Sequence, residues 1–162
     1  MAALPEQFFQ YASEKFAEHP DLLHHWSGPD AKGKRVLRIP KQEESGYDVE
    51  IQCETYGLYP YAEGWHGAPW DANTPSTNPP ELCANCLGFV RSLLCPDASL
   101  TVSYTGGKPY KWALSYPIGN TRTIDRTGFL LLNYLGRRTS RVFKNHHLPS
   151  RHEHEVTDRG HR

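Results

Sequence analysis

Residues 47–56 read YDVEIQCETY, and this run decides the class of fold. Tyr47, Val49, Ile51, Cys53 and Thr55 alternate with Asp48, Glu50, Gln52 and Glu54. Successive side chains of an extended strand point to opposite faces, so a period of two gathers the apolar residues on a buried face and the acids on a polar one. Such a half-buried strand belongs to an antiparallel sheet with one covered face. Two helices are available to cover it. Phe8, Ala12 and Phe16 recur every four residues between Pro5 and Glu18, with Pro5 suited to a first helical turn. Asn78, Pro79 and Glu81 then supply a cap, a first-turn proline and an acid that can reach back. The stripe Leu82, Cys83, Cys86, Leu87, Val90, Leu93 and Leu94 follows, ending at Cys95-Pro96-Asp97.

Further strands are expected at Lys34–Pro40, Leu100–Tyr104, Pro109–Tyr116, Phe129–Leu135 and Thr139–Phe143. Gly106-Gly107 joins the second and third of these as a hairpin, because tight turns need positive φ. Gly136-Arg137-Arg138 makes a second hairpin from the last two. Leu22, Leu23 and Trp26 read as a packed turn after His19-Pro20, and Pro117–Gly128, PIGNTRTIDRTG, reads as a loop. The expected class is therefore α+β: a mainly antiparallel sheet of about six strands with an N-terminal helix and a central helix packed on it. Residues 1–148 form a single domain in this reading, and residues 149–162 a flexible polar tail.

The run Tyr56–Asp71, YGLYPYAEGWHGAPWD, follows directly from the acidic strand. Its glycines and prolines predict a long structured loop and exclude a central strand. So many rings must cover the domain or meet a partner, since leaving them in water is unfavourable. The candidate partner surface is Glu50, Glu54, Tyr59, Tyr61, Glu63, Trp65, His66, Trp70 and Asp71. Tyr and Trp bury large, fairly rigid area, and carboxylates steer a cation toward it.

Charge points to the same kind of partner. The net charge is zero, yet residues 42–90 hold eight acids and no Lys or Arg, whereas residues 91–162 hold twelve Lys/Arg and five acids. An acidic middle attracts a basic protein and repels phosphate. The expected function is a noncatalytic binding or inhibitory protein, in the style of a bacterial immunity protein that neutralises a cognate toxin. The first residues lack the basic start and apolar run of a signal peptide, and no apolar stretch of membrane-spanning length occurs, so a cytoplasmic location without a membrane partner is expected. The four cysteines are then expected as reduced thiols.

Two other readings compete. A small hydrolase-like enzyme would use His66, Glu63 and Asp71 as acid and base beneath the loop. Nucleic-acid binding would use Arg122, Arg126, Arg137, Arg138, Arg141 and Lys144, with Tyr134 and Phe143 for stacking; the acidic middle ranks it third. Cys83-x-x-Cys86 has half the spacing of a zinc site, but it falls on the buried stripe of a helix, where Cys is a small hydrophobe. No cofactor or metal is expected. The chain has no Gly-x-Ser-x-Gly elbow, no complete P-loop and no His-x-Glu of a zinc deaminase.

Overall fold

The computed structural model describes residues 2–68, 70–71, 78–128 and 136–150, with Trp70 and Asp71 described in backbone only. In chain order the elements are α1 (Leu4–Phe16), β1 (His25–Ser27), β2 (Arg35–Ile39), β3 (Val49–Glu54), β4 (Gly57–Ala62), β5 (Trp65–His66), β6 (Trp70–Asp71), α2 (Pro79–Leu94), β7 (Ser99–Thr105), β8 (Lys108–Ile118), β9 (Thr121–Gly128) and β10 (Arg138–Phe143). All strand pairings are antiparallel among the described residues. The class is α+β, with the strands divided between a six-stranded and a four-stranded sheet. Two compact units result, Met1–Pro40 with Asp48–Val90, and Lys41–Tyr47 with Arg91–Arg162.

In the first unit the strand order is β1-β2-β3-β4-β5, with β6 also paired to β4. The period of two read from the sequence sets its faces: Val49, Ile51 and Cys53 are buried while Glu50, Gln52 and Glu54 stay partly exposed. Cross-strand pairs Leu37 with Ile51 and Cys53 with Leu58 extend the buried face sideways. Both helices serve this face. Arg35, on β2, holds Glu6 of α1 at 2.7 Å and lies 4.4 Å from the Phe9 ring centroid. From α2, Phe89 meets Trp65 at 6.1 Å between centroids. Asn78 caps α2 as expected, its Oδ1 accepting the Glu81 N–H at 2.9 Å.

Two expectations for this unit are corrected. Trp26 belongs to strand β1, paired with Leu37, instead of a helical turn; there its ring packs edge-on against Phe8 and Phe9. The aromatic run is not a loop: it supplies β4, β5 and β6, and β4 lies inside the sheet despite Pro60. In an extended strand a residue's N–H and C=O point to the same edge. The Pro60 carbonyl accepts from Gly67 N, so the missing N–H falls on that side, between the β5 pairing at Tyr61–Ala62 and the β6 pairing at Gly57–Leu58. No ladder bond is lost where no strand partner stands.

The second unit carries the sheet β10-β7-β8-β9. Gly106 and Gly107, at φ 54° and 80°, make the expected hairpin turn between β7 and β8. β9 occupies most of the segment read as a loop, and the turn before it uses Gly119 at φ 56°. Its Thr121, Thr123 and Thr127 are β-branched residues suited to a strand, but with little apolar content the alternation did not stand out. β10 pairs with β7, from Arg138 opposite Thr105 to Phe143 opposite Leu100. The strand expected at Phe129–Leu135 lies outside the described residues, as does the expected tail from Arg151 onward. Asn145 ties the unit together: its Oδ1 accepts from Tyr47 N at 3.0 Å, and its Nδ2 donates to the carbonyls of Tyr47 at 3.0 Å and Leu93 at 3.2 Å.

Candidate partner-binding cleft

The polar face of the first sheet is assembled by register. Glu50 of β3 stands opposite Tyr61 of β4, Gln52 opposite Tyr59, and Tyr61 in turn opposite His66 of β5. Beyond Ala62 the chain turns through Glu63-Gly64 into Trp65, which pairs back onto Ala62. Glu63 takes φ 54°, a left-handed conformation uncommon for a residue with a Cβ. Two contacts hold it there: its N–H donates to the Asp48 carbonyl at 3.0 Å, and its Oε2 accepts from Asp48 N at 3.3 Å. The turn thereby brings Glu63 beside Asp48.

Asp48, Glu50, Tyr61 and Glu63 line an open cleft of about 400 Å³. One basic side chain already reaches its wall, since Arg38 Nε donates to Glu50 Oε2 at 2.7 Å. Burial opposes charge on Glu50, but the hydrogen bonds from Arg38 and Gln52 outweigh it and hold the carboxyl below its ordinary range. Next along the strand, Lys34 sits 3.2 Å from Glu54 and donates to Gln52 Oε1 at 2.7 Å.

The sequence-selected residues therefore separate. Glu50, Tyr61 and Glu63 come together at the cleft; Glu54 and Tyr59 share the same sheet face outside its lining. Trp65, expected as an exposed anchor, is a core residue at 1% exposure. Its indole lies under Gly67, where a Cβ would come within 2.6 Å of the ring, and beside Pro60. The glycine and proline that suggested a loop are what let the ring be covered, since Gly67 has no Cβ to collide with it. Its Nε1 is buried without a hydrogen-bond partner among the described residues. His66 is exposed on β5 opposite Tyr61, outside the residues that line the cleft. Trp70 and Asp71 occupy register positions opposite Leu58 and Gly57, and their side chains lie outside the described residues.

Asp48 was missed as a site residue, although its alternation with Val49 already placed it on the acidic face. Cys53, Cys83 and Cys86 are buried. Burial pushes the Cys53 thiol up to about 12 and Cys83 up to about 11, and raises Cys86 as well, which disfavours the thiolates that metal ligation requires. Among the described residues no group of three metal-ligating side chains converges, and no helix is long and apolar enough to cross a membrane. Comparison with protein-family models, curated proteins and solved structures gives no match.

Proposed function

We propose that the chain is a noncatalytic binding protein whose first sheet receives a basic side chain from a protein partner. The observation that carries this reading is the open cleft walled by Asp48, Glu50, Glu63 and the Tyr61 ring. Carboxylates accept a guanidinium through paired, charge-assisted hydrogen bonds, and a phenol ring offers a flat wall for the same cation. Arg38 on Glu50 shows the chemistry in miniature. A cluster of negative charge also speeds encounter with a basic surface and rejects acidic ones. A cytosolic immunity protein neutralising a basic toxin has this profile, because occlusion needs complementarity and no turnover.

A fluorescein-labelled arginine nonapeptide provides the test, titrated by anisotropy at low salt. The double change Asp48→Asn with Glu63→Lys is expected to weaken binding at least tenfold, while Glu14→Lys on α1 leaves it within twofold. Equal losses in the two proteins would reduce the effect to net charge and end the proposal.

A further inference from the structure

The four-stranded sheet of the second unit has a surface that the cleft does not explain. Its register places Leu100, Val102, Trp112 and Leu114 on one face, all buried. The alternate positions form the other face. Lys111, Arg122, Arg126 and Arg138 stand there, all exposed, beside a ladder of hydroxyls running from Ser99 to Thr105 at every second residue of β7. None of the described residues at these positions is buried, and none is Asp or Glu. The single acid of the paired strands, Asp125, stands opposite Leu114 on the other side.

We propose that this face binds the sugar-phosphate backbone of double-stranded nucleic acid without reading its sequence. Guanidinium, ammonium and hydroxyl groups are the side chains that contact phosphate oxygens in such complexes. Strands lie about 4.8 Å apart and rise about 3.4 Å per residue, so Arg138 on β10 and Arg126 on β9, three strand spacings across and four residues along, are about 20 Å apart, and Arg122 lies about 14 Å along β9 from Arg126. That span covers several phosphates of a duplex.

Where the rings lie decides between occupants. Tyr104 and Trp112 share the buried face, as do Arg141 and Phe143 through their pairs with Val102 and Leu100. Tyr110 sits at the irregularity between β7 and β8 and has no place in the register; elsewhere among the described residues the cationic face carries no aromatic ring, and its large apolar side chains are Ile124 and Val142, both exposed. It therefore lacks the clustered aromatic anchors of a protein hot spot, and Ile124 and Val142 stand on different strands among cations and hydroxyls, too few to make the apolar face of an interfacial membrane protein. It also cannot stack bases, which is how single strands are held. A duplex asks for none of these and presents the denser row of charge. This surface differs from the basic hairpin expected from the sequence: Lys111 joins it, while Arg141 and Phe143 take the opposite face.

The test is fluorescence anisotropy of the full chain with a labelled 20-base-pair duplex, a dT20 strand, phosphatidylserine-containing vesicles and polyglutamate. Duplex binding is expected to be the tightest of the four. About four phosphate contacts imply that affinity falls about a hundredfold between 50 and 200 mM salt. Lys111→Glu with Arg126→Glu should weaken it more than tenfold and flatten the logarithmic salt slope by about two. The milder pair Lys111→Gln with Arg126→Gln, checked for an unchanged melting temperature, should give a smaller loss in the same direction. Undetectable duplex binding at 50 mM salt, binding indifferent to both pairs of changes, or tighter binding of any other probe would overturn the proposal.

Discussion

The outer faces of the two sheets are laid out by the same alternation and treat their charges differently. On the first, cations and carboxylates from neighbouring strands meet: Arg38 lies 2.7 Å from Glu50 and Lys34 lies 3.2 Å from Glu54. On the second, cations from three strands share the surface with hydroxyls, and Arg122 gives its donors to neutral oxygens, Ser115 Oγ at 2.9 Å and the Asp97 carbonyl at 2.8 Å. A net charge of zero is thus compatible with one surface that is acidic around its own ion pairs and another that is uniformly basic. Total charge says little about binding; what counts is which charges the register puts on the same face.

The largest expected effect tests whether the faces of the first sheet differ as sharply as adjacent residues suggest. Trp65→Ala should cost about 3–5 kcal/mol in a denaturant melt, as large-to-small changes in a packed core do, whereas Trp65→Phe, which removes an N–H that has no partner, should keep most of the stability. If Trp65→Ala melts like the wild type, the indole is not core and the two faces are not distinct.

A second change moves to the other unit, where a polar residue performs the tying that rings perform in the first. Asn145→Ala should cost about 2–3 kcal/mol, because it leaves the buried Tyr47 N–H without its acceptor. The same melt reads it, and a loss below half of that range would mean water or a shifted side chain replaces the amide.

The smallest effect concerns the ion pairs that set the two outer faces apart. The Glu50 carboxyl titrates below its unfolded value, so its contribution is present above that value and is lost as pH falls through the folded one. Arg38 is 63% exposed, so solvent screens the pair and keeps it weak. As pH falls below the ordinary carboxylate value, melting temperature should accordingly drop a little more steeply in the wild type than in Glu50→Gln. Identical slopes would show that Arg38 gives Glu50 nothing that solvent does not.

Much of the fold could be read from local pattern. Strand β3, helix α1, the Asn78 cap of α2 and the Gly106-Gly107 hairpin each rest on residues close in sequence, and each stands where expected. The errors share a cause. Pro60 and Gly67 carry strong local signals against a strand, and the tertiary pairing of β4 with two short strands on one edge makes those signals harmless. β9 is the converse, a polar strand with weak local signal that depends on its pairing with β8. The candidate site divided along the same line. Glu50, Tyr61 and Glu63 were legible because alternation fixes a face, while Trp65 was misread because Gly67 and Pro60, which cover its ring, carry local loop signals, and its contact with Phe89 comes from far along the chain.

By itself the sequence determined the α+β class, both helices, the apolar and acidic faces of the central strand, and the segregation of charge between the middle of the chain and its end. Those are properties of period and composition, which depend only on near neighbours. Tertiary structure decided that the strands form two sheets, that Trp65 belongs to the core, and that Asp48 and Glu63 share a cleft wall. It also set which arginines share a face, because strand register is chosen by pairing between distant segments and leaves no trace in any one of them.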